Sequence, residues 1–190
     1  MSARTGATSS TAPDPVLPSA EVTRAQAEAS ALEFLRTEAG FAQVTTLDRQ
    51  GYPVTRSMTV FPATDWTIAL VQRATHRRLA QWRAVPRTLV TWVGDPAPGM
   101  TNERPHVFDL GRLPSRVVAV RGDAEFMDDD WTVRTYRQHL DEQRAAGHTE
   151  APVRTDDQVR DELVGVLIRP VRVRLEGFGH GPQSFDWTVT

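Results

Sequence analysis

Between Phe41 and Val71 three runs rich in β-branched and aromatic residues follow one another with only short turns between them. The runs are Phe41 to Leu47, Val54 to Phe61 and Trp66 to Val71, and the turns fall at Asp48 to Pro53 and Pro62 to Asp65. A parallel neighbour needs a crossover of roughly a dozen residues or more, and neither turn has that length. The first half of the chain therefore reads as an antiparallel meander built from hairpins.

The rest of the chain alternates in the same style. Thr75 can cap a short helix from His76 to Ala84, Pro86 interrupts, and Thr88 to Val93 returns to strand. Arg116 to Phe126 is a long apolar run in which Gly122 predicts a bulge or a close backbone approach. Val164 to Ile168 and Val171 to Leu175 read as one strand interrupted by Pro170, and Phe185 to Thr190 as a last short one. Before the meander, Thr23 with Gln26 forms a capping box, and Val22, Ala25, Ala29, Leu32 and Leu35 recur at helical spacing up to about Gly40. Asp130 to Ala146 predicts a helix stopped by Gly147, and Thr155 with Gln158 opens another. The expected class is mainly β (α+β): an antiparallel barrel of six to seven strands, closed or split, with peripheral helices. Residues 1–18, dominated by Ser, Thr, Ala and Pro, are expected to be a disordered tail, leaving 19–190 as one domain. Residues 94–115 carry four prolines and three glycines and predict a long irregular connection, either a lid or an interface arm.

Composition excludes more than it selects. With 22 basic against 24 acidic residues and a net charge of -2, neither sign points to a nucleic-acid or membrane partner. No stretch approaches the roughly 18 apolar residues of a membrane span, and a cytoplasmic location is expected. The chain has no cysteine, which removes disulfides, thiolate nucleophiles and Cys-based metal sites. Every basic residue is arginine, so no lysine Schiff base, lysine general base or lysine-bearing phosphate loop can be built. The five histidines show no i, i+4 pair and no HExxH, and no metal site is expected. No GxSxG elbow is present, and GFGHG at 177–181 lies too near the end of the sequence to open a dinucleotide unit.

The stretch from Gly51 (GYPVTRSMTVF) to WTIALVQRATHRRLAQWRAVPRTLVTW has the makings of an anion site. Arg56 lies on a strand, and Arg77 and Arg78 lie in the first turn of a helix whose N–H groups add donors. Three guanidinium groups converging there could grip a phosphate. On charge alone, the alternative is that they are solvated side chains.

The same stretch resembles the cofactor-binding core of the pyridoxamine 5′-phosphate oxidase family. Arg56, Val71-Gln72, His76-Arg77-Arg78 and Val85-Pro86-Arg87 fall, without a gap, where that family has its strand arginine, its aromatic–threonine pair, its Ser-Arg-Lys triplet and its Asn-Pro-Arg. The resemblance extends more weakly through RVVAVRGDAEFM and LIRPVRVRLEGF. It implies a split-barrel homodimer with FMN at each end of the interface. Arg56, Arg77 and Arg78 would hold the FMN phosphate. Ser57, Met58, Thr59 and Val60 would line the isoalloxazine, and Val71 and Gln72 would flank the ring and ribityl chain. Val117, with Arg116 beside it, falls where the family has a flavin-contacting glutamine, so Arg116 is a candidate for the cofactor site, and Trp187 is a candidate to cover the ring.

The family's Trp and Arg-Leu-His-Asp-Arg segment, which grips the vitamin substrate, has no counterpart in RLEGFGHGPQSFDWTVT. The reading is therefore an FMN-dependent oxidoreductase acting on an unassigned small molecule other than pyridoxine 5′-phosphate. Relatives of the same barrel use a deazaflavin or haem, which are the alternative cofactors. A non-catalytic flavin-binding stress or regulatory protein is the alternative from another class.

Overall fold

A computed structural model describes residues 22–94, 116–150, 152–179 and 183–189. The expected tail at 1–18 and nearly all of the 94–115 connection lie outside these residues. Among the described residues the chain forms one seven-stranded antiparallel sheet and four helices. The strands are β1 (Ala42–Leu47), β2 (Pro53–Met58), β3 (Ile68–Arg73), β4 (Arg87–Val93), β5 (Val117–Phe126), β6 (Leu163–Glu176) and β7 (Ser184–Thr188). The helices are α1 (Arg24–Thr37), α2 (Arg77–Ala84), α3 (Asp129–Ala145) and α4 (Asp156–Glu162). Strand order is β2-β1-β4-β5-β6-β3, with β7 also on β6. The sheet curls on itself, yet its end strands β2 and β3 are not hydrogen-bonded to each other, so the barrel is split.

Alternation along the strands sets the core. On β4 and β5 every second residue (Thr88, Val90 and Trp92; Val118, Val120, Gly122 and Ala124) is buried, and Val44, Ile168, Val173 and Leu175 meet them from β1 and β6. The Trp92 indole donates to the Val60 carbonyl at 3.1 Å, which satisfies the polar atom of a ring that is otherwise fully buried.

The longest strand, β6, carries β5 along one edge, and β3 and then β7 along the other. Pro170 lies between the last β3 pairing at Ile168 and the first β7 pairing at Arg172, so its missing N–H falls where the ladder changes partner. Opposite Pro170, the β5–β6 register shifts between Arg121 and Gly122. A Cβ on Gly122 would fall on the Arg169 carbonyl oxygen and lie 2.8 Å from the Ile168 side chain, which is why glycine stands at the bulge.

Both capping boxes are present, with the Thr23 and Thr155 side chains accepting from the Gln26 and Gln158 backbones. Four expectations need correction. The meander stops at β2: the link through Pro62 to Asp65 closes no hairpin, because residues 59–67 bury Val60 and Trp66 in the core and carry the chain across to β6, with which β3 pairs. The buried face of α1 is Ala27, Ala31, Phe34 and Leu35, while Ala25 and Ala29 are exposed. Alanine fits either side of a helix, and the large Phe34 ring, stacked edge-on against Phe178, decides the rotation. The N-cap of α2 is His76, without a side-chain cap bond, in place of Thr75. Finally, β2 ends at Met58, short of Phe61, because the chain turns inward to bury Val60.

The helices α3 and α4 lie over β3 and the first half of β6 and share a small core of Val133, Val159 and Leu163 with Val71 and Tyr136. Gly165 allows this approach, since a Cβ there would meet the Trp131 ring at 2.8 Å. At the bulge, Gly122→Ala should cost about 1–3 kcal/mol, the usual range for overpacking. Urea unfolding of the two proteins would check this, with an unchanged midpoint as the contrary result.

Candidate functional site

The two free lips of the split barrel, β2 and β3, are joined by side chains from α2. Along β2, Arg56 and Met58 share the inward-facing side, while Thr55 and Ser57 point outward. The Arg56 guanidinium donates to Gln81 Oε1 of α2 at 3.1 Å and to the buried Thr46 hydroxyl at 3.3 Å, and that hydroxyl in turn donates to Gln81 at 2.8 Å. Two residues further along β2, the Met58 sulfur lies 3.2 Å from Arg78 Nη1. The other guanidinium nitrogen of Arg78 donates to His76 Nδ1 at 2.7 Å. Gln72 Oε1, on β3, lies 3.3 Å from the same ring nitrogen, in contact but with no proton to give it. A chain of contacts thus runs from β2 through α2 to β3.

The electrostatics of this seam are uncompensated. Burial first, and then the Arg56 charge, push the Arg78 guanidinium below its ordinary range. Its Nε is buried without a hydrogen-bond partner, and no ion pair forms at Arg56, Arg77 or Arg78 among the described residues. An orphan donor on a cation beside a second cation calls for an anion. The uncapped N-terminus of α2 leaves backbone N–H groups in the same place.

Because a guanidinium only donates, His76 Nδ1 is the acceptor; the ring is neutral with its proton on Nε2. Burial, then Arg78 and Arg73, hold its pKa below the ordinary histidine value. His76 and Gln72 also form one wall of a cavity of about 370 Å³ between the end of β3, α3 and the 152–154 segment. The Tyr136 hydroxyl donates to the Pro152 carbonyl at 2.6 Å and accepts from Arg154 N at 3.0 Å, fastening that segment in place. His139, half-buried on α3, faces the same cavity; burial lowers its pKa and Glu142 opposes the shift.

The other sequence-derived residues are distributed as follows. Arg77 is exposed at the first position of α2. Ser57 accepts from the Gln43 amide at 2.9 Å on the outer side of the sheet, and Thr59 is exposed while Val60 is buried in the core. Val71 packs on the small core beneath α3. Arg116 is bound to Glu38 at 2.5 and 2.9 Å and lies over the Phe34 ring. Trp187, on β7, is in edge contact with Trp66 and lies under Arg24, contacts that tie it to the first core. Thr46, Gln81 and the α3 residues at the cavity were not singled out by the sequence. Only the i, i+3 spacing of Arg78 and Gln81 on α2 hinted that they share a side.

No protein-family model and no curated protein matches this chain. Solved structures do. The heme binding protein from Mycobacterium smegmatis superposes with a TM-score of 0.57 at 22% identity; the match covers 88% of this chain and 60% of that one. A candidate pyridoxamine 5′-phosphate oxidase from Listeria innocua gives 0.52 at 14% identity, over 79% of this chain and 98% of the other. A protein from Clostridium acetobutylicum, related to general stress protein 26 and described as of the pyridoxinephosphate oxidase family, gives 0.51 at 10% identity, over 85% and 94% of the two chains. The likeness is one of fold, and the chain has the pyridoxamine 5′-phosphate oxidase-like split-barrel fold. Among the described residues no helix is long and apolar enough to cross a membrane, and no cluster of three or more metal-ligating side chains occurs.

The depressed His76 and His139 pKa values tie stability to pH. The folded protein refuses protons that the unfolded chain accepts near pH 6.5, so this contribution is full above about pH 6.5 and is lost as pH falls through the lower, folded values. Urea unfolding at pH 7.5 and 5.5 should show a smaller acid loss for His139→Gln than for the parent. An equal loss in both would remove His139 from the account.

Proposed function

We propose that the chain is an FMN-dependent oxidoreductase acting on a small molecule, with the flavin phosphate held in the seam by Arg56, Arg77 and Arg78. The observation that carries this reading is the buried, unpartnered Nε of Arg78 beside the Arg56 charge, with no carboxylate among the described residues to neutralise either. A dianionic phosphate supplies the missing charge and acceptors, and bidentate guanidinium geometry suits it. The flavin, when bound, supplies the electron-carrying chemistry. The protein's part is to bind and orient. Arg78, positioned by His76, and Arg56, positioned by Gln81 and Thr46, fix one end of the cofactor. Gln72, on the opposite lip, offers an amide beside it.

The homodimer belongs to the same proposal. The outer faces of β1, β4 and β5 share a patch of Gln43, Thr45, Leu89, Thr91, Val93 and Ala119, bordered along β4 and β5 by Arg87, Arg121, Asp123 and Glu125. Beside it, Leu47, Leu89 and Val171 line a largely apolar hollow of about 360 Å³. A second copy would cover such a face.

FMN is expected to bind more tightly than riboflavin, which has the same ring without the phosphate. In Arg78→Gln that preference should fall at least about tenfold, the worth of one charge-assisted hydrogen bond. Flavin fluorescence quenching reads both affinities. A protein that binds neither, or a preference untouched by the substitution, would sink the flavin reading. The visible spectrum after reconstitution separates flavin from deazaflavin or haem.

A further inference from the structure

We propose that the cavity between β3, α3 and the 152–154 segment is a second binding site, one that takes a small organic anion with a carboxylate or phosphate head and an apolar body. Its lining holds two arginines, two imidazoles, two side-chain amides and a tyrosine, but no carboxylate, in a chain with 24 acidic residues. The cationic side is Arg73 and Arg154. Arg154 is partly neutralised, since its Nε donates to Glu162 at 2.8 Å, whereas Arg73 forms no ion pair among the described residues. The apolar side is Val71, Leu140, Pro152 and Leu163. Such a wall binds an amphipathic anion: the guanidinium and imidazole groups take the charged head, and the aliphatic groups take the body.

The geometry is built in advance of any ligand. Tyr136 holds Pro152 and Arg154 through both of its hydrogen-bonding capacities. The volume of about 370 Å³ lies at the small end of small-molecule pockets, which suits a ligand of one ring. The groups whose charge bears on the head are Arg73, Arg154, His76 and His139 in the lining, with Arg78, Glu142 and Glu162 beside them. His76 belongs to both places, since it receives Arg78 on one side and lines the cavity on the other. An anion here lies next to the arginine seam. That it is the substrate rests on the flavin reading; that it binds does not.

The test uses the full-length, isotope-labelled protein without flavin. The His76 and His139 imidazole signals, assigned through His76→Gln and His139→Gln, are followed during titration with benzoate, phenyl phosphate and benzamide. Benzoate or phenyl phosphate should shift both rings saturably in the millimolar range, and the tighter of the two identifies the preferred head group. Benzamide, isosteric but neutral, should leave the rings unmoved. Arg73→Gln, at an exposed position outside the arginine seam, should weaken the anion about tenfold while FMN affinity stays within about twofold. The site is overturned if benzamide matches benzoate, if neither anion gives a saturable shift up to about 20 mM, or if Arg73→Gln changes nothing. Benzoate binding in a protein that rejects FMN would sustain the site and defeat only the flavin reading.

Discussion

A single strand holds the barrel together. Through its backbone β6 binds β5, β3 and β7, so both the β2-β1-β4-β5 part of the sheet and the helical layer over β3 depend on one ladder of fourteen residues. Such a strand must bend sharply to serve two sets of neighbours, and a regular ladder resists bending. The bulge at Gly122 opposite Pro170 relieves that resistance at the point where the outer edge passes from β3 to β7. Two residues that weaken a strand in isolation are here what lets it curve.

The curl brings β2 and β3 near α2 without joining them, and the chemistry gathers at that junction. Burying a guanidinium beside another with no acid nearby is unfavourable to the folded chain by itself. Alternatives were open to the sequence, since carboxylates satisfy arginines elsewhere: Glu38 at Arg116, Asp156 at Arg137, Asp186 at Arg172. Their exclusion from the seam sets Arg56 and Arg78 apart from the structural ion pairs on the surface, most of which are exposed and contribute little.

Much of this was legible in the chain because it depended on local rules. Capping boxes, the first turn and the glycine in a strand each act within a few residues, and the helices, the β1–β2 hairpin and the bulge followed from them, whereas the short link after β2 gave no sign that β3 pairs with β6. That Arg56 and Arg78 come close to each other was legible because strand and helix place them by short-range geometry. The failures lie where packing decides. Alanine is silent about which way a helix faces, so α1 had to await Phe34. The partners Thr46 and Gln81 have nothing unusual about them until α2 is laid across β1. His139 and Tyr136 read as ordinary helix positions, because periodicity does not reveal that α3 returns over the end of β3. The contacts of Trp187 with Trp66 and Arg24, made by a strand at the far end of the sequence, were likewise invisible to local patterns.

The lips of the split are held to each other by side chains alone, and this has a mechanical consequence. Separating β2 from β3 breaks no rung of the backbone ladder; it requires that α2 release β2 at the Arg78–Met58 contact and at the Arg56–Gln81 bond. Opening is therefore cheapest along the line where an anion would enter. A ligand bridging the arginines would act as a clasp across the gap, so the stiffness of the barrel would depend on its occupant.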